Sequence, residues 1–141
     1  MGLKSVQNGL VPTRFMCMLA HMVMLISLLI RRNEYVGSCD TVLYQNVNLL
    51  NNQFIIGLSI SIGILAIELV TFITGITLFN TFQSLISTFL HSSAAISLSI
   101  MVFFKWCSVD FWYIFGFCSC IPFIFEIIFL IGIWLFKRTI N

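Results

Sequence analysis

Residues Phe54–Phe79, FIIGLSISIGILAIELVTFITGITLF, form a run of 26 residues whose only charge is Glu68, near the middle. As a helix rising ~1.5 Å per residue, such a run crosses a hydrocarbon core of ~30 Å with length to spare. An acidic residue at a helix centre costs about 2.5–3.5 kcal/mol on insertion, whereas each Leu, Ile, Val or Phe contributes about 0.3–0.6 in the other direction. The apolar majority outweighs the carboxyl group, so the segment reads as a transmembrane helix carrying Glu68 into the bilayer. Phe111–Phe136 repeats the arrangement around Glu126, and Leu85–Phe104 is a third long run without charge. Phe15–Ile30 is shorter. It ends at Arg31-Arg32 rather than at a small-residue cleavage site, so it reads as a retained first span and not as a signal peptide.

The expected fold is therefore all-α: a polytopic membrane protein whose single domain, residues 1–141, is a four-transmembrane-helix bundle. The helices are expected near 15–30, 54–79, 85–104 and 111–136. Composition agrees, with 60% apolar and 9% charged residues against about a quarter charged in soluble domains. Any activity must then sit in the bundle, in the Arg31–Gln53 loop or in the tails. A net charge of +2 is too small to argue for nucleic acid or a polybasic lipid clamp. Val6 stands where a myristoylation motif needs Ser or Thr, and no Asn-x-Ser/Thr acceptor is present.

Four spans put both termini on one side. Lys4, Arg14, Lys137 and Arg138 fall on that side and Arg31, Arg32 and Lys105 on the other, a margin of one that does not orient the chain. Trp106, Phe111, Trp112 and Tyr113 gather at the far end of the last two helices and Trp134 at the near end, as interfacial aromatic belts do.

An internal repeat sharpens the picture. The first span has His21 followed by Ile26-Ser27-Leu28, and the third has His91 followed by Ile96-Ser97-Leu98 at the same offset. The second carries Glu68 and Gly75-Ile76-Thr77-Leu78-Phe79; the fourth carries Glu126 and Gly132-Ile133-Trp134-Leu135-Phe136. The spacing in the second pair differs by one residue, and the pattern reads either as two similar helical hairpins, each a His helix followed by a Glu helix, or as chance within a low-complexity apolar alphabet. At ~1.5 Å per residue the glutamates lie ~15–16 Å from the terminus-bearing ends and the histidines ~9 Å, so a His–Glu contact within each hairpin is within reach.

The quartet His21, Glu68, His91 and Glu126 has two readings. One is intramembrane polar packing that fixes the register of the bundle; the other is a proton relay or ion site. Pro122 is a kink candidate in the fourth helix, and the second helix has no matching proline. The third helix looks like the packing centre, with Ser84, Thr88, His91 and Ala95 on one stripe, and the second adds Ser59-x-x-x-Gly63. Cys118-Ser119-Cys120 lacks the spacing of a redox pair and reads as buried, inert thiols. Cys39 and Cys107 lie in the two connections opposite the termini, so they share a compartment and are candidates for a disulfide if that compartment is oxidising.

A family resemblance runs through the chain in order. Gly9-Leu10-Val11-Pro12-Thr13-Arg14-Phe15, Leu19-Ala20-His21, Glu68-Leu69, Phe79-Asn80, Gln83-Ser84-Leu85-Ile86-Ser87, His91 and Trp112-Tyr113-Ile114-Phe115 resemble the transmembrane protein 107 family. It fades in Asn33–Gln53 and Lys137–Asn141. The resemblance implies a non-enzymatic membrane subunit of the ciliary transition zone, with cytosolic termini, no cofactor or metal, and other membrane proteins of the Meckel-syndrome complex as partners. It also implies a part in the barrier that sets ciliary membrane composition and in cilium-dependent signalling such as Hedgehog, and it supplies no catalytic or ligand residue. Beside it stand a small proton-coupled transporter using Glu68 or Glu126, and a membrane thiol or glutathione enzyme. The enzyme is disfavoured by the missing Cys-x-x-Cys and by the lack of Arg or Lys within the spans to hold an anionic cosubstrate. Membrane lipids are expected neighbours, and the residues do not decide whether the chain self-associates.

Overall fold

The computed structural model describes residues 2–39, 46–75 and 81–140. Helix α1 is Gly2–Ile30, α2 Arg32–Gly37, α3 Val47–Ile73, α4 Thr81–Phe104, α5 Phe111–Phe115, and α6 Ile121–Ile140. A single π-helical turn, Gly116–Cys120, joins α5 to α6, so these three segments make one continuous fourth rod. Four stretches are long and apolar enough to cross a membrane: Gly9–Ile30, Val47–Ile73, Thr81–Phe104 and Phe111–Phe136. The protein is an all-α, multi-pass membrane protein.

Each of the first three spans buries a row spaced alternately four and three residues apart. In α1 the row is Arg14, Met18, His21, Leu25 and Leu28; in α3 it is Phe54, Leu58, Ser61, Leu65, Glu68 and Phe72. In α4 it is Ser84, Ser87, His91, Ala94, Leu98 and Met101. A 3.5-residue period keeps one seam of each helix facing its neighbours along the whole span, which is the packing of left-handed membrane bundles. The outward rows are apolar too, with Val23, Ile56, Ile60, Ile67, Val70, Phe89 and Ile96 exposed. Because lipid is as apolar as a leucine side chain, what distinguishes the inner seam is its polar residues and its small ones.

Several boundaries differ from the sequence reading. The first helix begins before Phe15 and runs through Pro12: the ring fixes a helix-compatible φ and removes one donor, while Thr13 returns its hydroxyl to the Gly9 carbonyl at 2.8 Å. The second begins at Val47, so the polar Asn51-Asn52-Gln53 run is helical and the loop before it is shorter. This helix stops at Ile73 because Gly75 adopts φ 77°, a left-handed conformation that suits glycine at a helix end. The proposed ending through Phe79 is thus cut short, and residues 76–80 lie outside those described. The third helix starts at Thr81, four residues before Leu85. The π turn sits immediately ahead of Pro122, whose ring would clash with the carbonyl four residues back in a regular helix.

Opposite the termini the bundle is closed by a cap. Tyr35 of α2 packs edge-on to Phe54, which packs edge-on to Phe111 at 5.3 Å between ring centroids. Phe111 is therefore core, whereas Trp106, Trp112 and Tyr113 remain exposed as an interfacial belt would be. The Ser108 N–H donates to the Tyr35 carbonyl at 3.2 Å, and Cys39 and Cys107 are joined by a disulfide with Cα atoms 4.7 Å apart. Burial, and next the Glu34 carboxylate, hold the Tyr35 phenol above its usual pKa against the opposing pull of Arg31, so this phenol stays protonated. Lys105 reaches Glu34 at 3.3 Å in an exposed pair of little energetic weight.

Candidate functional site

The polar residues of the seam meet in two linked groups. In the first, His91 of α4 stands between two partners: its Nε2 is 2.7 Å from Glu68 Oε2 of α3, and its Nδ1 is 3.1 Å from His21 Nδ1 of α1. All three side chains are 1% exposed. A proton must lie between the two Nδ1 atoms, which leaves three arrangements. His91 is neutral with its proton on Nε2 toward Glu68 and His21 donates; or His91 is neutral with its proton on Nδ1, His21 accepts, and a protonated Glu68 donates to Nε2; or His91 is an imidazolium beside a carboxylate and His21 accepts. α4 thereby ties α1 and α3 in register.

The second group lies nearer the termini. Arg14 of α1, 0% exposed, places a guanidinium nitrogen 3.3 Å from Glu126 Oε2 of α6, and its guanidinium carbon 5.4 Å above the centre of the Phe72 ring. The Thr71 hydroxyl donates to the other carboxylate oxygen, Oε1. Glu126 is thus held from α1 and α3 at once. The Coulomb attraction of such a pair strengthens as the dielectric falls, but so does the cost of burying it, so its clearest role is to specify which helix faces which.

All four nominated residues are buried in the seam, yet the pairing within hairpins is not what the structure shows. Glu68 meets His91 rather than His21, and Glu126 meets Arg14 rather than His91. The reason is that α1 packs most extensively along α4, so the two histidines face each other. The carboxylates are also not at one depth. Thr71, one turn beyond Glu68, is the residue that reaches Glu126, so distances counted from Phe79 and Phe136 share no common origin. Arg14 is likewise no interfacial charge: it lies within a candidate span and inside the bundle, so a cation does occur in the spans, committed to Glu126. A clue was available, since Arg14, Met18 and His21 share one helical face.

The small-residue reading is corrected on α3. Ser59 and Gly63 face outward, and the close approach is made by Gly57 and Ser61, with Gly57 so near α5 that a Cβ there would meet Phe111 at 3.1 Å. On α4, Ser84 and His91 do face inward. Cys118 is buried with its sulfur 3.9 Å from the Ser93 hydroxyl, and Cys120 is half-buried. Among the described residues no group of three His, Cys, Asp or Glu side chains is placed to hold a metal ion.

Fold and seam together define a small four-span membrane protein whose inner face carries a buried ion pair and a Glu–His–His chain. A family model named TMEM107 and described as "Transmembrane protein" matches residues 10–130. The chain is 35% identical over 133 residues to human transmembrane protein 107, covering 93% of this chain and 95% of that one. It is 36% identical to the mouse protein over the same length and 32% identical over 130 residues to the zebrafish (Danio rerio) one. The chain belongs to the transmembrane protein 107 family. No solved structure matches it.

Proposed function

We propose that this chain is a non-enzymatic membrane scaffold subunit of the ciliary transition zone, helping to assemble the barrier that controls ciliary membrane composition, ciliogenesis and cilium-dependent signalling. The observation that carries the mode of action is the direction of its chemistry: the buried charged groups engage one another between helices, Glu126 with Arg14 and Glu68 with His91, and the faces left for a partner are apolar helix surfaces. Such a molecule acts by lateral association within the bilayer. Its place at the ciliary base, and its partners among the membrane proteins of the Meckel-syndrome complex, rest on family membership. Cytosolic termini are supported by the disulfide at the opposite end, because disulfides persist in oxidising compartments.

Co-purification tests the reading: a tagged copy extracted in mild detergent from ciliated cells should elute with other Meckel-complex membrane subunits, and recovery of the chain alone contradicts it. One observation favours a second reading, the proton-coupled transporter, since Glu68, His91 and His21 form a continuous line of titratable groups. Purified protein in liposomes separates the two. The scaffold reading expects no proton flux above empty vesicles with or without candidate solutes.

A further inference from the structure

A cavity of about 140 Å³ opens between α4 and α6, lined by Gln83, Ser87, Glu126 and by apolar groups that include Phe82, Ile86 and Phe125. Two features set it apart from the grooves between any two lipid-facing helices. The first is Ser87. Thr88, Ser92, Ser93 and Ser99 of the same helix each return the hydroxyl to a carbonyl three or four residues back, but the Ser87 hydroxyl is buried without a hydrogen-bond partner. The residue is 5% exposed and lines the cavity, while its unpartnered hydroxyl is closed to a water-sized probe in this rotamer, so an occupant engages it by rotation about χ1. The second is Glu126, which already holds Arg14 and Thr71 and still has acceptor capacity, as a carboxylate offers about four lone-pair directions.

Size and depth narrow the occupant. A cavity of ~150 Å³ accommodates one benzene ring, so this one fits a single six-membered ring and its substituent. Gln83 and Ser87 lie ~3 and ~9 Å along α4 from Thr81, below the terminus-side interface. A phosphate or sugar head group is too large and too strongly hydrated to enter there, whereas a lone hydroxyl is not. The mouth faces the lipid side, where Phe82, Phe125 and Ile128 are exposed. We propose that this cavity is a binding site for a sterol, a rigid polycycle whose whole polar head is one hydroxyl. The hydroxyl donates to the Glu126 carboxylate and accepts from Ser87, the first ring fills the cavity, and the remaining rings lie along the apolar mouth. The site stands on this geometry and not on the proposed cellular role.

The test is photolabelling of the purified full-length chain in lipid nanodiscs with a diazirine-bearing sterol, mapped by mass spectrometry. The expected result is labelling concentrated in 82–87 and 122–129, competed by excess cholesterol but not by equimolar diacylglycerol. Ser87→Phe, which fills the space, should lower labelling there at least five-fold. Ser87→Ala keeps the fold and the space while deleting the hydroxyl, and should lower it two- to ten-fold. Should Ser87→Phe fail to fold, as judged by gel filtration, the alanine variant decides. Labelling spread evenly over exposed faces of α3 and α4, labelling unchanged in Ser87→Ala, or equal competition by diacylglycerol would overturn the proposal.

Discussion

At the scale of single residues, Arg14 and Glu126 carry the largest energetic consequence. Removing one member of a buried ion pair strands the other and costs about 3–5 kcal/mol, whereas replacing both with apolar residues of similar volume is often nearly neutral. Arg14→Met and Glu126→Leu should therefore each lower the thermal midpoint of the detergent-solubilised protein more than the double variant does, which a thermal aggregation assay reads directly. The Glu68 position separates packing from relay. Glu68→Gln keeps a partner for His91, while Glu68→Leu removes it at about 0.6–2 kcal/mol, the range of such contacts in membranes. Assembly measured by co-purification should survive Gln and suffer with Leu; equal, complete failure of both well-folded variants points to an ionised functional carboxylate. Glu68, Glu126, His21 and His91 were legible as the buried polar set, because a polar residue deep in an apolar run must find a partner. Which partner each takes was not, because pairing depends on which helices are neighbours, and Arg14 looked like an ordinary flanking charge until α1 proved to extend past it.

The elements show a similar division. The four spans are readable from apolar length, but their ends are set by local chemistry that hydropathy does not weigh. Gly75 terminates α3 early, Pro12 fails to terminate α1, and Asn51-Asn52-Gln53 extends a helix beyond the apolar zone. The alternate four–three row of buried residues was present in the sequence, yet with both faces apolar it is the placement of Arg14, His21, Ser61, Glu68, Ser84, Ser87 and His91 that distinguishes the inner face. Gly57 marks a close crossing between elements, at the contact of α3 with Phe111. A leucine there has to displace Phe111 from its packing against Phe54, an overpacking that costs about 1–3 kcal/mol. Gly57→Leu should lower the thermal midpoint clearly, and Gly63→Leu, where nothing lies within 4 Å of an added Cβ, should not.

For the whole molecule, the disulfide ties the connection after α1 to the one before the fourth span, so it braces both hairpins at the end opposite the termini. Its loss should cost about 2–4 kcal/mol. Cys39→Ser should thus reduce the thermal midpoint, and the wild-type chain should change mobility on gels when reduced while the variant does not. The same bond argues that its end faces an oxidising compartment, so a cysteine-reactive probe applied outside intact cells should not label a cysteine engineered at position 139. With its buried ion pair and Glu–His–His chain turned inward, the molecule offers other proteins its helix surfaces, and its predicted role is to hold a place in a membrane assembly. Fluorescence imaging of a tagged copy in ciliated cells, with and without the gene, tests that most directly. The account predicts a narrow ring at the ciliary base, and altered levels of ciliary membrane proteins once the gene is removed while the axoneme still forms. Uniform plasma-membrane or mitochondrial staining, with ciliary membrane composition unchanged after deletion, would contradict it.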